Sequence, residues 1–288
     1  MQNEKFEIVA KTFQGLEGVL AEEITAIGGK DVKTGCRMVS FTGDKALLYK
    51  ANLACRTALR ILKPILHFTA SNPDEVYEKL KQYDWEQWLT PETTFAIDSV
   101  VYSEEFRHSK FVTYRMKDAI ADFFNEKYGK RPSVRLTNAD MQFNLHIYNT
   151  SCTLSLDSSG ESLHKRGYRE SQTEAPINEA LAAGLIMLTG WRGECDFIDP
   201  MCGSGTFLIE AALIAANIYP GIFRQHFAFE KWKDFDKDLF EELYNDDSCE
   251  REFNHKIYGS DISMRATAIA AQNIKRAGVG RYIELETK

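Results

Sequence analysis

Runs of alternating apolar residues and runs of helical spacing succeed one another along the chain, and their mixed order predicts an α/β protein. Residues 6–10 alternate as a strand does, Leu16–Ile24 has helical spacing, and Gly28-Gly29 closes that helix. Residues 38–42 read as a strand, about 44–54 as a helix and 58–68 as a further strand. The pattern then restarts, with a helix over Asp74–Gln82 behind Pro73, a strand over 95–101, and a helix over Met116–Tyr128. Strands follow at 133–136, 141–148 and 152–156. Beyond Gly160, Thr173-Glu174-Ala175-Pro176 has helix-start chemistry and Asn178–Leu188 runs apolar. A strand ending on Asp199, a helix over 207–214, a strand over 256–262, a helix over 264–277 and a last strand from Ile283 complete the series.

Composition narrows the class without naming a function. At 288 residues the chain is long enough for about two domains, and 44% hydrophobic with 27% charged residues is ordinary for a globular protein. No apolar run reaches the roughly 18 residues a membrane helix needs, and the first residues lack a secretory pattern. Six scattered cysteines with no Cys-x-x-Cys pair imply reduced thiols, a cytoplasmic location and no zinc knuckle. The six histidines form no ligand-spaced pair, so no metal site is expected. The net charge of −7 is concentrated: residues 230–252 hold ten acids against four bases, whereas residues 103–135 hold eight bases against five acids. Overall acidity therefore leaves room for a local basic face.

The most informative stretch is Asp199-Pro200-Met201-Cys202-Gly203-Ser204-Gly205-Thr206, between an apolar strand and an apolar helix. Glycine admits positive φ and close ligand approach, and the helix behind the turn presents unpaired N–H groups. A dinucleotide fingerprint needs a third glycine where Leu208 stands, and no Gly-Lys-Ser/Thr follows, so neither the NAD nor the Walker reading is complete. The turn resembles motif I of class I S-adenosylmethionine (SAM)-dependent methyltransferases, in the branch acting on exocyclic amines of nucleobases. By that resemblance Asp199, Met201, Cys202, Gly203, Ser204, Gly205 and Thr206 hold the cofactor, and Cys202 contacts it through its backbone rather than serving as a nucleophile. Asp261 ends the next strand, where such folds accept ribose hydroxyls, and Ile262 follows it. The 62 positions between the two acids exceed a plain β–α–β step, and residues 218–255 read as an insertion. Asn178 opens the segment that packs beside the cofactor in the resembled family. Phe229 and Trp232 suit either base stacking or, more often at this spacing, a core.

Bases and aromatics also meet upstream, in His108-Ser109-Lys110-Phe111 and Tyr114-Arg115-Met116-Lys117. With the segments around 130–134 and 145–169, this block is similar to a THUMP domain, an RNA-binding module fused to RNA-modifying enzymes. The resemblance implies RNA contacts at His108, Lys110, Arg115, Lys117, Lys165, Arg166 and Arg169. Nearly end to end the chain resembles bacterial THUMP-containing methyltransferases that modify guanine N2 in 23S ribosomal RNA, often labelled N6-adenine-specific DNA methylases. The implied architecture is a ferredoxin-like domain over 1–69, a THUMP domain over 70–159, and a Rossmann-like SAM-dependent domain over 160–288. Structured RNA is the implied partner, and the oligomeric state is not legible. Seven prolines, none adjacent to another, leave out the Asn/Asp-Pro-Pro-Tyr/Phe motif of this class. The chain is accordingly read as the N-terminal part of a longer enzyme, with catalytic residues unassigned and inactivity on its own left open. A DNA adenine methyltransferase, a non-catalytic RNA- and SAM-binding fragment and a nicotinamide oxidoreductase stand as alternatives, the last the weakest.

Overall fold

A computed structural model describes residues 4–106 and 109–288. The first 157 residues build one sheet rather than two. Strands β1 (Phe6–Lys11), β2 (Lys30–Gly35), β3 (Met38–Gly43), β4 (Arg60–Thr69), β5 (Thr94–Tyr102), β6 (Ser133–Val134), β7 (Met141–Tyr148) and β8 (Ser151–Asp157) lie in the order β2-β3-β1-β4-β8-β7-β5-β6. The join is β4, a ten-residue strand that pairs antiparallel with β1 on one side and with β8 on the other. The blocks expected over 1–69 and 70–159 thus share a continuous ladder.

Helices α1 (Glu17–Ala26), α2 (Lys45–Ala54), α3 (Pro73–Lys81) and α4 (Ser109–Tyr128) serve a single core that runs the length of this sheet. Strand alternation explains it: Ile8, Ala10, Phe41, Ile61, Phe143, Leu145, Ile147, Leu154 and Leu156 all point to one face and are buried. Pro73 occupies the first turn of α3, and the Asn72 side-chain Oδ1 accepts the Asp74 and Glu75 N–H groups. The α4 helix begins seven positions before the apolar spacing signals it, at Ser109 rather than Met116, because its first two turns are largely exposed.

From Arg166 onward a second, separate core forms around Leu208, Ile209, Leu213, Ile257, Ala270, Ile274 and Val279. Its elements are α5 (Glu179–Leu188), β9 (Phe197–Asp199), α6 (Thr206–Ala215), α7 (Lys237–Tyr244), β10 (Ile257–Asp261), α8 (Met264–Arg276) and β11 (Ile283–Thr287). The three strands are parallel in the order β11-β10-β9, as expected where helices make the crossovers. The helix start at Thr173–Pro176 is corrected: Asn178 is the cap, its Oδ1 accepting the N–H groups of Ala180 at 3.0 Å and Leu181 at 3.2 Å.

The segment 218–255 leaves the three-stranded sheet and docks on the first module. Phe229 stacks on Tyr49 at 4.4 Å and is fully buried, and Trp232 joins the same core, which settles both as packing residues. The Asp236 N–H donates to the Tyr49 hydroxyl at 3.1 Å, and Arg56 donates to the Ile218 carbonyl at 2.8 Å. Gly221 lies so close to α2 that a Cβ there would come within 2.6 Å of Leu53 Cα.

Candidate cofactor site

The site forms where β9 and β10 end side by side, their register pairing Asp199 with Gly259. Between Asp199 and α6 the chain turns through Gly203 at φ +54° and Gly205 at φ +81°. The two glycines answer different needs. A Cβ on Gly205 would sit 3.1 Å from Ala270 Cβ, so this glycine lets α8 pack closely. A Cβ on Gly203 would meet nothing within 4 Å, so its side of the turn is open to a ligand.

Two carboxylates bracket that opening. Asp199 Oδ1 accepts the Met201 N–H at 3.1 Å; Asp261 accepts the Gly203 N–H at 2.9 Å on Oδ2 and the Ser263 N–H at 2.8 Å on Oδ1. Burial, with the neighbouring Asp261 charge, raises the Asp199 pKa above the ordinary aspartate value. Met201, Ile262 and Met264 stand beside these acids, each more than three-quarters exposed. Charged acceptors next to uncovered apolar side chains suit a ligand with an amine or hydroxyls on an apolar body.

Other residues of the turn shape it from within. Cys202 is buried, its N–H donates to the Ser260 carbonyl at 2.9 Å, and burial pushes its thiol up to about 11, which keeps it protonated. Buried Ser204 accepts through its carbonyl from Asn273 Nδ2 at 3.1 Å, and buried Thr206 accepts from Arg169 at 2.8 Å. The Asn178 side chain caps α5.

Of the bases proposed for RNA, Arg166 is corrected: it is 2% exposed, pairs with fully buried Glu210 at 3.3 Å and donates to the Leu163 carbonyl. Arg169 is corrected likewise, lying under the glycine turn with an ion pair to Glu179 at 3.2 Å. Arg115 is engaged by Asp74 at 2.8 Å and lies 4.2 Å over the Tyr77 ring. Lys110 is exposed, Lys117 is half-buried, and exposed Lys165 pairs with Glu161. His108 lies outside the described residues. Sequence reasoning missed Asn273 and Glu179 as supports of the turn. Asn273 sits on a helix far along the chain with no local signal, whereas Glu179 directly follows the Asn178 cap and was accessible to a capping argument.

Three family models match in sequence order: an RlmL ferredoxin-like domain over 7–62, a THUMP domain over 70–157 and an RMKL-like methyltransferase domain over 166–288. Over 276 residues the chain is 39% identical to a protein of Synechocystis named as an RNA methyltransferase, covering 95% of this chain and 72% of that one. The chain belongs to the RMKL-like family of RNA methyltransferases. It is also 37% identical over 282 residues to the ribosomal RNA large subunit methyltransferase K/L of Syntrophotalea carbinolica, covering 95% of this chain and 39% of that protein. A solved methyltransferase complexed with SAH superposes with a TM-score of 0.85 at 30% identity, covering all of this chain and 76% of that one. The family fixes S-adenosyl-L-methionine as the cofactor, and the open, acid-flanked turn fits it. No helix among the described residues is long and apolar enough to cross a membrane.

Proposed function

We propose that the chain positions SAM for methyl transfer to an exocyclic amine of an RNA base, guanine N2 of large-subunit ribosomal RNA. Bound SAM would supply a sulfonium methyl. The observation that carries the reading is the pair Asp199 and Asp261 on adjacent parallel strands, with the open Gly203 between them. Asp199 and the 201–206 turn would hold the methionyl end, where the raised but ionisable carboxyl meets an ammonium. Asp261 would accept ribose hydroxyls on lone pairs left free by its two backbone bonds. Ile262 would lie against the base of the cofactor, and Asn178 would fix the start of α5 beside it. Positioning and exclusion of water would do most of the catalytic work. In this scheme residues 1–69 and 70–159 present RNA to residues 160–288, and the K/L name of one relative is what supports ribosomal RNA.

Calorimetric titration of S-adenosylhomocysteine into the chain, with NAD as control, tests the pocket. Micromolar binding of the first and no heat from the second is expected. NAD binding with no response to S-adenosylhomocysteine would overturn the assignment. Methylation of protein-free 23S RNA, with the modified nucleoside read by mass spectrometry, tests guanine N2 against other amines.

A further inference from the structure

Two polar side chains interrupt the otherwise apolar helix α6: Thr206, its first residue, and Glu210, one turn later on the same face. Both are buried. They meet a strap, residues 166–169, that leads from the first module toward α5. Arg166 pairs with Glu210, and the Tyr168 hydroxyl donates to Glu210 Oε1 at 2.9 Å. Arg169 Nη2 donates to Thr206 Oγ1 and to the Ile177 carbonyl, each at 2.8 Å. Thr206 directly follows Gly205, so the strap grips α6 at the point where the glycine turn becomes helix.

The strap is itself fixed from outside the cofactor core. Arg166 Nη2 donates to the Arg56 carbonyl at 2.5 Å, against the chain just after α2. Arg224 of the insertion donates to the Lys165 carbonyl at 2.8 Å. Gly167 passes so close to the insertion that a Cβ would stand 2.2 Å from the Phe223 carbonyl oxygen. Stability alone does not explain this arrangement. A buried ion pair gains little over well-packed apolar residues of similar volume, since desolvating the charges offsets their attraction. Directional bonds supply what apolar contacts do not, one defined position of the helix. Methyl transfer needs that definition, because a misplacement of about 1 Å at the reacting centre costs rate heavily. We propose that Tyr168 and Arg169 are positioning residues for the cofactor, acting through Glu210 and Thr206 to seat the glycine turn relative to the first module. The proposal rests on the reading of the 201–206 turn as the cofactor's seat, and it adds what fixes that seat.

The test is calorimetric titration of S-adenosylhomocysteine into wild type, Tyr168→Phe and Arg169→Met well below melting, with each unliganded melting temperature measured alongside. Tyr168→Phe keeps the ring and removes only the bond to Glu210. Affinity should fall roughly threefold there and roughly tenfold in Arg169→Met, at unchanged stoichiometry. A merely structural residue lowers the melting temperature and leaves the affinity of the folded protein alone, as Val76→Ala in the first core should. Wild-type affinity in both strap variants would overturn the proposal, whatever their melting temperatures; if Arg169→Met does not fold, Tyr168→Phe decides alone. A double-mutant cycle with Thr206→Val separates positioning from contact. Arg169→Met should cost much less affinity in that background, where its hydrogen-bond partner is already gone. An undiminished cost would make Arg169 a direct cofactor contact and overturn its positioning role. Asp199→Asn tells the two readings apart: lost affinity there beside wild-type affinity in the strap variants would sink the positioning proposal alone. Wild type that gives no heat would sink the reading of the seat as well.

Discussion

Asp199 is a carboxylate kept in a place that disfavours its charge. Burial, reinforced by Asp261, raises its pKa in the folded state, so the charged form costs stability at neutral pH, and that cost vanishes as pH falls through the raised value. Replacing it with Asn should leave the melting temperature at neutral pH equal to or above wild type. The same change should weaken S-adenosylhomocysteine by about 1.5–3 kcal/mol, the size of a lost charged hydrogen bond. On acidification, wild-type affinity should start to fall at a higher pH than an ordinary aspartate would give. Asp261 is built the opposite way, since its two oxygens each accept a backbone N–H, from Gly203 and from Ser263. An amide offers only one oxygen, so Asp261→Asn should lower both the melting temperature and cofactor affinity. Differential scanning fluorimetry with and without ligand separates the two cases; a matching fall in melting temperature for both variants would show that Asp199 serves the fold rather than the ligand.

Between β9 and α6 the two glycines should fail differently when substituted. Gly205→Ala pushes a methyl against Ala270 at a left-handed φ, so it should cost stability, on the order of 1–2 kcal/mol from the backbone alone. Gly203→Ala carries similar backbone strain but meets no neighbour, so its distinctive loss should be cofactor affinity, with the methyl standing where the ligand approaches. Urea unfolding paired with calorimetry reads both. This strand–turn–helix was legible in sequence because its chemistry is local, a carboxylate, two glycines and an apolar helix in one short run. Other elements were not legible. Strand β2 is an edge strand whose residues are almost all exposed, so it shows no alternation and left no signal. Arg166 reads as a solvated base in a basic stretch, yet Glu210, which neutralises it, is 44 positions away on α6. Arg166→Ala strands that buried carboxylate and should cost about 3–5 kcal/mol in urea unfolding. An RNA-contact residue would instead lose RNA affinity with stability intact.

At the scale of the whole molecule, segment 218–255 is one tie between the eight-stranded sheet and the cofactor domain, beside the contacts of Leu16 with Gly184 and of Arg166 with Arg56. Its aromatic residues looked local in sequence, because nothing in the spacing of Phe227, Phe229 and Trp232 points to α2, nearly 180 residues earlier. The shared eight-stranded sheet was hidden for the same reason: the pairing of β4 with β8 links residues about 90 positions apart. The packing turns this into an energetic statement. Phe229 is fully buried between Tyr49 at 4.4 Å and Phe227 at 5.2 Å, and this cluster belongs to the core of the first module, not to that of the cofactor domain. Truncating it removes a buried aromatic of the kind that costs about 3–5 kcal/mol, and removes it at the tie. Phe229→Ala should therefore split thermal unfolding into two transitions, with S-adenosylhomocysteine raising only the one that belongs to residues 160–288. Lys231→Ala, which removes hydrogen bonds to Asn138 and Ala139 and a largely exposed ion pair with Asp140, should leave unfolding close to wild type. If Phe229→Ala instead lowers one undivided transition, the two cores are coupled through β4, Arg56 and Arg166 without the insertion, and the insertion only covers the sheet's helices.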